Sequence, residues 1–244
     1  MGSCDITNNQ SSFQTVNRLL LRGPASVFLI IIVVGSHAQF HPDSLLMDYD
    51  QLLGNHRGLI NGYTYYPYQL NGANPYLDDA QWRSGTVIVN HNKFSNVAML
   101  LDLESNQLVI RQTAGGTARA SSLIKEQVQS FSINDKLFKP VVLNDQLTFL
   151  EVLYEGKTWK LYKSHSKKKQ ISPTTKKVEF AYFTKTMIAY DGAIQALPRS
   201  GKFYKLYPTY KEDVKAILEE HPDFSLRNPS DLVQVLSLIE RQGI

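Results

Sequence analysis

The stretch LTFLEVLYEGKTWKLYK, residues 147–163, decides the expected fold. Aromatic and branched apolar residues alternate with polar ones on both sides of Glu155-Gly156, which is the pattern of a β-hairpin. A two-residue turn there places apolar residues opposite each other on one face and an acid opposite a base on the other: Val152 with Trp159, Leu150 with Leu161, and Glu151 with Lys160. The stretch therefore predicts two antiparallel strands with a self-consistent register.

The same strand pattern extends from about Gly62 to Gln195. A second hairpin is expected around Ser105-Asn106, with Leu103 opposite Leu108 and Leu101 opposite Ile110. Asp102 and Glu104 alternate with these leucines, and we expect them on the outer face of the strand. The small-residue segment 114–118 and the polar, lysine-rich segment 164–177 are expected to be connections between strands.

The hydrophobic period changes from two to about 3.6 near the end of the chain, within about residues 203–244. Thr209 and Glu212 have the spacing of a capping box before one helix. Asn228 precedes Pro229 at the expected start of a second helix. The second helix has an apolar stripe formed by Leu232, Val235, Leu236 and Ile239.

Together these patterns predict a mainly β protein. We expect a single antiparallel curved sheet, or an incomplete barrel, with two short C-terminal helices. The physical reason for curvature is that a long, flat, apolar sheet would expose edges that promote aggregation.

A leader segment is expected before this domain. Residues Ala25 to Val34 are almost all apolar, follow Arg18 and Arg22, and precede Gly35-Ser36-His37-Ala38. This is the pattern of a secretory signal peptide over residues 1–38, because the apolar run is too short to span a bilayer. We therefore expect export to the periplasm, the outer envelope or the medium, and one domain over residues 39–244, beginning with a short helix between His41 and Asn55.

Composition narrows the chemistry of the expected mature chain. Its net charge of +3 is too small to suggest nucleic acid as a partner, and no later apolar segment predicts a transmembrane helix. Cys4, the only cysteine, precedes the expected cleavage site, and the histidines are widely spaced. The sequence therefore indicates no metal site, no cofactor and no catalytic residue, although scattered residues can still assemble in space.

The most unusual segment is rich in aromatic residues: Tyr63, Tyr65, Tyr66, Tyr68, Tyr76 and Trp82. Exposed rings of this kind could stack on sugars or anchor a partner, because they give large contact areas with few rotatable bonds. The alternative is that the rings fill the core of a half-buried edge strand. The two interpretations are distinguished by the exposure of the rings and the partners of their hydroxyl groups.

The sequence resembles exported proteins of unknown function that are common in Bacteroidota. The resemblance is carried by Trp82 to Asn90, Phe94, Val97, Leu100 to Leu103, Gln107 to Ile110 and the Tyr154 to Lys157 hairpin. The resemblance implies export and a β-rich fold. It supplies no catalytic residues.

These observations favour a non-enzymatic envelope or extracellular protein that binds a glycan, an envelope protein or an apolar ligand. One alternative is a secreted hydrolase of glycans or peptides, which requires two catalytic side chains within reach in a cleft. Another is a carrier of lipid or another apolar molecule, which requires an apolar cavity inside the curved sheet.

Overall fold

The computed structural model describes residues 62–68, 73–114, 117–198 and 203–242, which form one open antiparallel sheet followed by three helices. The strands are β1 (Gly62–Thr64), β2 (Arg83–Val89), β3 (Asn92–Asp102), β4 (Gln107–Ala114), β5 (Thr117–Leu123), β6 (Val128–Ile133), β7 (Lys136–Leu143), β8 (Gln146–Glu155), β9 (Trp159–Ile171), β10 (Val178–Tyr190) and β11 (Ala193–Ala196). The helices are α1 (Phe203–Leu206), α2 (Lys211–Glu220) and α3 (Pro229–Gln242). The predicted fold class is confirmed.

The order of strands across the sheet is β1-β5-β4-β3-β2-β6-β7-β8-β9-β10-β11. Strands β2 to β5 form one meander, strands β6 to β11 form another, and the two meet where β2 pairs with β6. The sheet does not close into a barrel. Gly85 of β2 lies very close to strand β6. A Cβ added there would stand 2.1 Å from the carbonyl oxygen of Ser132, so only glycine fits.

Several hairpins have tight turns at asparagine, aspartate or histidine. In the turns Asn90-His91, Asn134-Asp135 and Asn144-Asp145, both residues have positive φ angles between 47° and 66°. Two successive left-handed residues are the signature of a type I′ turn, whose twist matches that of the strands it joins. These turns join β2 to β3, β6 to β7 and β7 to β8, and each allows the two strands to pair directly.

The first predicted hairpin forms, but its predicted register is wrong. Tyr154 pairs with Leu161 and Glu155 with Lys160, the connection spans residues 156–158, and a bulge interrupts β8 between Val152 and Tyr154. The turn is wider than two residues, and the distant carboxylate of Glu240 accepts hydrogen bonds from its backbone amides.

The second predicted hairpin also forms with a different register. Leu101 pairs with Leu108 and Met99 with Ile110, and residues 103–106 form the connection. The shift equals two residues, so the predicted apolar face is preserved: Leu101, Leu103, Leu108 and Ile110 all lie in the same core. The carboxylate of Asp102 accepts hydrogen bonds from the turn and fixes its length.

The lysine-rich segment 164–177 is not a connection, as predicted, but mainly a strand. Strand β9 continues through Ile171 and pairs residue by residue with β10, and only residues 172–177 form the turn. A ladder with the aromatic strand β10 outweighs the weak strand preference of consecutive lysines. In segment 114–118, Ala114 ends β4 and Thr117 begins β5, and residues 115–116 lie outside the described residues.

The main core lies on one side of strands β2 to β8. Its largest members are Phe131, Phe138 and Phe149, with Phe131 stacked on Phe138 at a centroid distance of 5.0 Å. The surrounding aliphatic side chains are almost fully buried. Burial of this apolar surface provides the main stabilisation of the curved sheet.

A second core joins the helices to strands β8 to β10. Trp159 is fully buried and packs against the rings of Tyr190, Phe203 and Tyr207. The predicted stripe of α3 is confirmed, since Leu232, Val235, Leu236 and Ile239 are all fully buried. The Asn228 side chain caps α3 by accepting a hydrogen bond from the amide of Ser230 at 3.0 Å.

The N-terminus of α2 differs from its prediction. Thr209 lies in a 3₁₀ turn, Pro208–Tyr210, and Tyr210 at the N-cap forms no side-chain capping bond. The capping box is therefore absent, although the helix itself forms.

Two predictions fall on residues outside the described ranges: the signal peptide over residues 1–38 and the short helix between His41 and Asn55. Within the described ranges, no helix has both the length and the apolar character needed to cross a bilayer.

Candidate functional site

The predicted aromatic residues divide into exposed and anchored rings. Their exposed fractions are 71% for Tyr63, 82% for Tyr66, 37% for Tyr68 and 2% for Tyr76, whereas Tyr65 and Trp82 are half-buried. Tyr65 and Trp82 pack on a small cluster of Tyr76, Leu100 and Val109. The structure thus brings Tyr65, Tyr76 and Trp82 together, while Tyr63 and Tyr66 face solvent.

Asp102 anchors this aromatic cluster. Its side chain was expected on the outer face of β3, but the residue is fully buried beneath Tyr65 and Tyr76, because segment 75–77 adds a bridge alongside the end of β3. One carboxylate oxygen accepts a hydrogen bond from the Tyr65 hydroxyl at 2.8 Å. The other accepts hydrogen bonds from the backbone amides of Glu104 at 2.9 Å and Ser105 at 3.1 Å.

These contacts fix the position of the Tyr65 ring. Burial, together with the hydrogen bonds to Tyr76 and Asp102, raises the pKa of the Tyr65 hydroxyl far above its ordinary value. Burial and a hydrogen bond to Glu104 raise the pKa of Tyr68 to about 12. Both hydroxyls therefore remain protonated donors throughout the physiological pH range.

A lysine from the other half of the sheet supports the same segment. The Lys167 ammonium group donates hydrogen bonds to the carbonyl oxygens of Tyr76 at 2.6 Å and Asn74 at 3.1 Å. Burial lowers its pKa. The backbone amide of Lys167 also donates to the carbonyl oxygen of Leu103 at 3.2 Å, so β9 is tied to the end of β3.

An open cavity of about 730 Å³ lies above these rings, and we call it the aromatic groove. Its lining includes two tyrosines, a tryptophan, a proline and two arginines: Tyr65, Tyr66, Trp82, Pro67, Arg111 and Arg119. Arg111 pairs with Ala120, which packs in the same cluster as Tyr65, so Arg111 shares the face of that ring. The described lining contains two cations and no acid.

A second, separate cluster joins three neighbouring strands. His165 on β9 contacts Glu151 on β8 through Nε2 at 2.6 Å, and its Nδ1 forms a hydrogen bond with the hydroxyl of Tyr182 on β10. The His165 side chain is 2% exposed and the Glu151 side chain is 13% exposed, whereas Tyr182 is 50% exposed. Only the tyrosine therefore presents a large surface to solvent.

The electrostatics of this cluster favour an ionised glutamate. Burial by itself would raise the pKa of Glu151, but the hydrogen bond and charge of His165 outweigh burial and hold this pKa below its ordinary value. Lys163 and Lys136 act in the same direction. Burial raises the pKa of Tyr182. Sequence reasoning missed this cluster, since its members lie 14 and 17 residues apart and meet only across the sheet.

Two further features bear on the carrier hypothesis. One face of strands β2 to β8 is covered by the packed core around Phe131, Phe138 and Phe149. A cavity of about 820 Å³ lies instead on the other face of strands β7 to β11, where its lining mixes Val141 and Ile194 with charged residues such as Lys160.

Metal binding finds no support in the described residues, because no three of their His, Cys, Asp and Glu side chains come close enough to hold an ion.

No known protein family, curated protein or solved structure matches this chain. The expected relation to exported Bacteroidota proteins stays a prediction.

Proposed function

We propose that this chain is an exported, non-enzymatic protein that binds an acidic glycan in the aromatic groove. The observation that carries the proposal is the combination of half-buried rings with Arg111 on the same face, in one open cavity whose described lining holds no acid. Export is supported by the leader-like sequence before residue 39.

The groove has the two kinds of group that an acidic sugar needs. The flat faces of Tyr65 and Trp82 offer apolar contact to the C–H faces of a pyranose ring. A guanidinium group, as in Arg111, binds a carboxylate through two parallel hydrogen bonds, which gives orientation as well as energy. A neutral sugar would use the rings alone and would bind more weakly.

The groove is also organised before a ligand arrives. Asp102 holds the Tyr65 hydroxyl, and the buried Tyr76 ring supports it from below. Rings already held in place lose little conformational entropy on binding, so more of the contact energy remains as affinity. The volume of about 730 Å³ lies within the usual range for small-ligand sites, about 300–1,000 Å³.

The test is calorimetric titration of the purified chain with oligogalacturonate and with its fully methyl-esterified, uncharged form. We expect the charged form to bind more tightly, and the preference to shrink as salt increases. Arg111→Gln should remove most of that preference. Tyr66→Ala should weaken both ligands, because Tyr66 is 82% exposed and contributes contact area without supporting the fold.

Matched controls separate the groove from the general surface. Tyr63→Ala removes a ring that is 71% exposed but does not line the groove, and Arg227→Gln removes an exposed cation near a different cavity. Neither should change the affinity. Equal binding of both ligands, or equal losses in the controls, would contradict the proposal.

A second candidate function is hydrolysis, and the contact between Glu151, His165 and Tyr182 favours it. In such a reaction His165 would accept the proton of the Tyr182 hydroxyl, and Glu151 would stabilise the protonated imidazole. Glycan or peptide cleavage that is abolished by Tyr182→Phe and Glu151→Gln but retained in Tyr66→Ala would establish this function. Such a result would overturn the non-enzymatic proposal.

A further inference from the structure

Strands β9 and β10 continue as a two-stranded ribbon past the ends of β8 and β11, and Lys167 and Phe180 within it contact Leu103 and Tyr68. Strand β8 pairs with β9 only up to Ser164, and β11 pairs with β10 only from Met187 onward. From these points to the turn at residues 172–177, β9 and β10 pair only with each other among the described strands. We call residues 165–185 the basic ribbon.

The basic ribbon concentrates the positive charge of the protein. It contains six lysines and one acidic residue, Glu179, and thus has a net charge of +5. The whole chain has a net charge of +4, so all the other residues together carry −1. Five of the ribbon lysines are exposed and form no ion pair with a described residue: Lys168, Lys169, Lys176, Lys177 and Lys185.

Exposed apolar side chains accompany these lysines. Ile171 beside the turn is 67% exposed, Phe183 is 46% exposed and Tyr182 is 50% exposed. The Tyr182 hydroxyl is bonded to His165, so the ring presents its apolar part outward. The register places Phe180 opposite Lys169 and Ala181 opposite Lys168. Phe180 therefore lies opposite a lysine on the face that carries Ile171, whereas Phe183 and Lys168 lie on the other face.

We propose that the basic ribbon docks on an anionic lipid surface. Lysines near such a surface are attracted by the negative headgroups, and exposed apolar side chains can enter the boundary between headgroups and acyl chains. This binding surface lies on different strands from the aromatic groove and does not depend on what the groove binds.

The apolar side chains favour lipid over a soluble polyanion. A dissolved acidic polymer would be held by the lysines but would offer nothing to Ile171, which has no hydrogen-bonding group and sits at the end of β9. A bilayer offers negative charge and an apolar layer directly beneath it, so it complements both features at once. Lys167 does not take part, because its ammonium group is bound to Tyr76 and Asn74.

The test is co-sedimentation of the purified full chain with vesicles of phosphatidylglycerol mixed with phosphatidylcholine, and with vesicles of phosphatidylcholine alone. We expect binding to the mixed vesicles only, weakened by added salt. The triple variant K169Q/K176Q/K177Q should bind about a hundredfold more weakly, given roughly fivefold for each lysine near the surface. Ile171→Ser should also weaken binding, at unchanged net charge.

The matched control is K205Q/K211Q/K215Q, which removes the same charge from exposed positions on α1 and α2. It should retain most of the binding. Equal losses in the two triple variants, or equal binding to uncharged vesicles, would overturn the proposal. If Ile171→Ser leaves vesicle binding intact and soluble heparin abolishes it, the ribbon is a polyanion site. That result would also overturn the proposal. Circular dichroism spectra of each variant check that the sheet is preserved.

Discussion

Replacing Tyr65 by Phe removes the single hydroxyl that links the aromatic groove to the buried carboxylate of Asp102. The two atoms are 2.8 Å apart, and Asp102 is fully buried. A hydrogen bond to a charged group contributes about 1.5–3 kcal/mol, and the carboxylate would keep its two backbone donors. We therefore expect the free energy of unfolding to fall by about 2 kcal/mol.

The assay is urea unfolding followed by circular dichroism and by tryptophan fluorescence, which reports on Trp82 in the groove and on Trp159 in the helix core. Tyr63→Phe is the control, because that ring is 71% exposed and its hydroxyl should contribute less than about 0.5 kcal/mol. A double-mutant cycle with Asp102→Asn measures the coupling directly. A coupling energy near zero, or equal effects of the two Tyr→Phe changes, would refute the proposed anchor.

Three other changes test the rest of the fold. Glu240→Gln should lower the free energy of unfolding by about 1–3 kcal/mol, since charge-assisted bonds to the β8–β9 turn are lost. Because backbone and Tyr154 hydrogen bonds hold the pKa of Glu240 below 4.5 despite burial, its advantage over Gln exists at neutral pH and disappears as the pH falls through the lowered pKa. Glu151→Gln should also lower the free energy of unfolding at neutral pH, and this loss relative to the unsubstituted chain should disappear at acidic pH. Urea unfolding at a series of pH values measures it. Trp159→Ala should cost about 3–5 kcal/mol, measured by thermal and urea unfolding, because it empties the centre of the helix core.

Local patterns predicted which segments form strands, but not how the strands align. Alternation in residues 147–163 identified a hairpin, yet its register depends on Glu240, a residue 81 positions after Trp159. Asp102 likewise sets the second turn through bonds that no pattern of neighbours encodes. The face of the sheet on which a side chain lies was predicted better than the pairing of strands, because a shift of two residues keeps each side chain on its side of the sheet.

The candidate site was predicted only in part. The tyrosine-rich segment was identified by composition, but the division into anchored Tyr65 and exposed Tyr66 depends on a buried acid that the alternating pattern placed outside. Arg111 could not be assigned to the groove without the pairing of β4 with β5. Residues 164–177 were predicted to be a connection because the strand that pairs with their first half, β10, lies on the far side of the turn.

The contact made by Glu240 has a consequence for the order in which parts of the chain can assemble. Its carboxylate accepts hydrogen bonds from the amides of Lys157, Thr158 and Trp159, yet it belongs to the last turn of α3, 81 positions after Trp159. The β8–β9 turn can therefore complete its hydrogen bonds only after α3 has docked on the sheet. A variant in which α3 cannot dock would keep both strands and still leave these three amides without their acceptor.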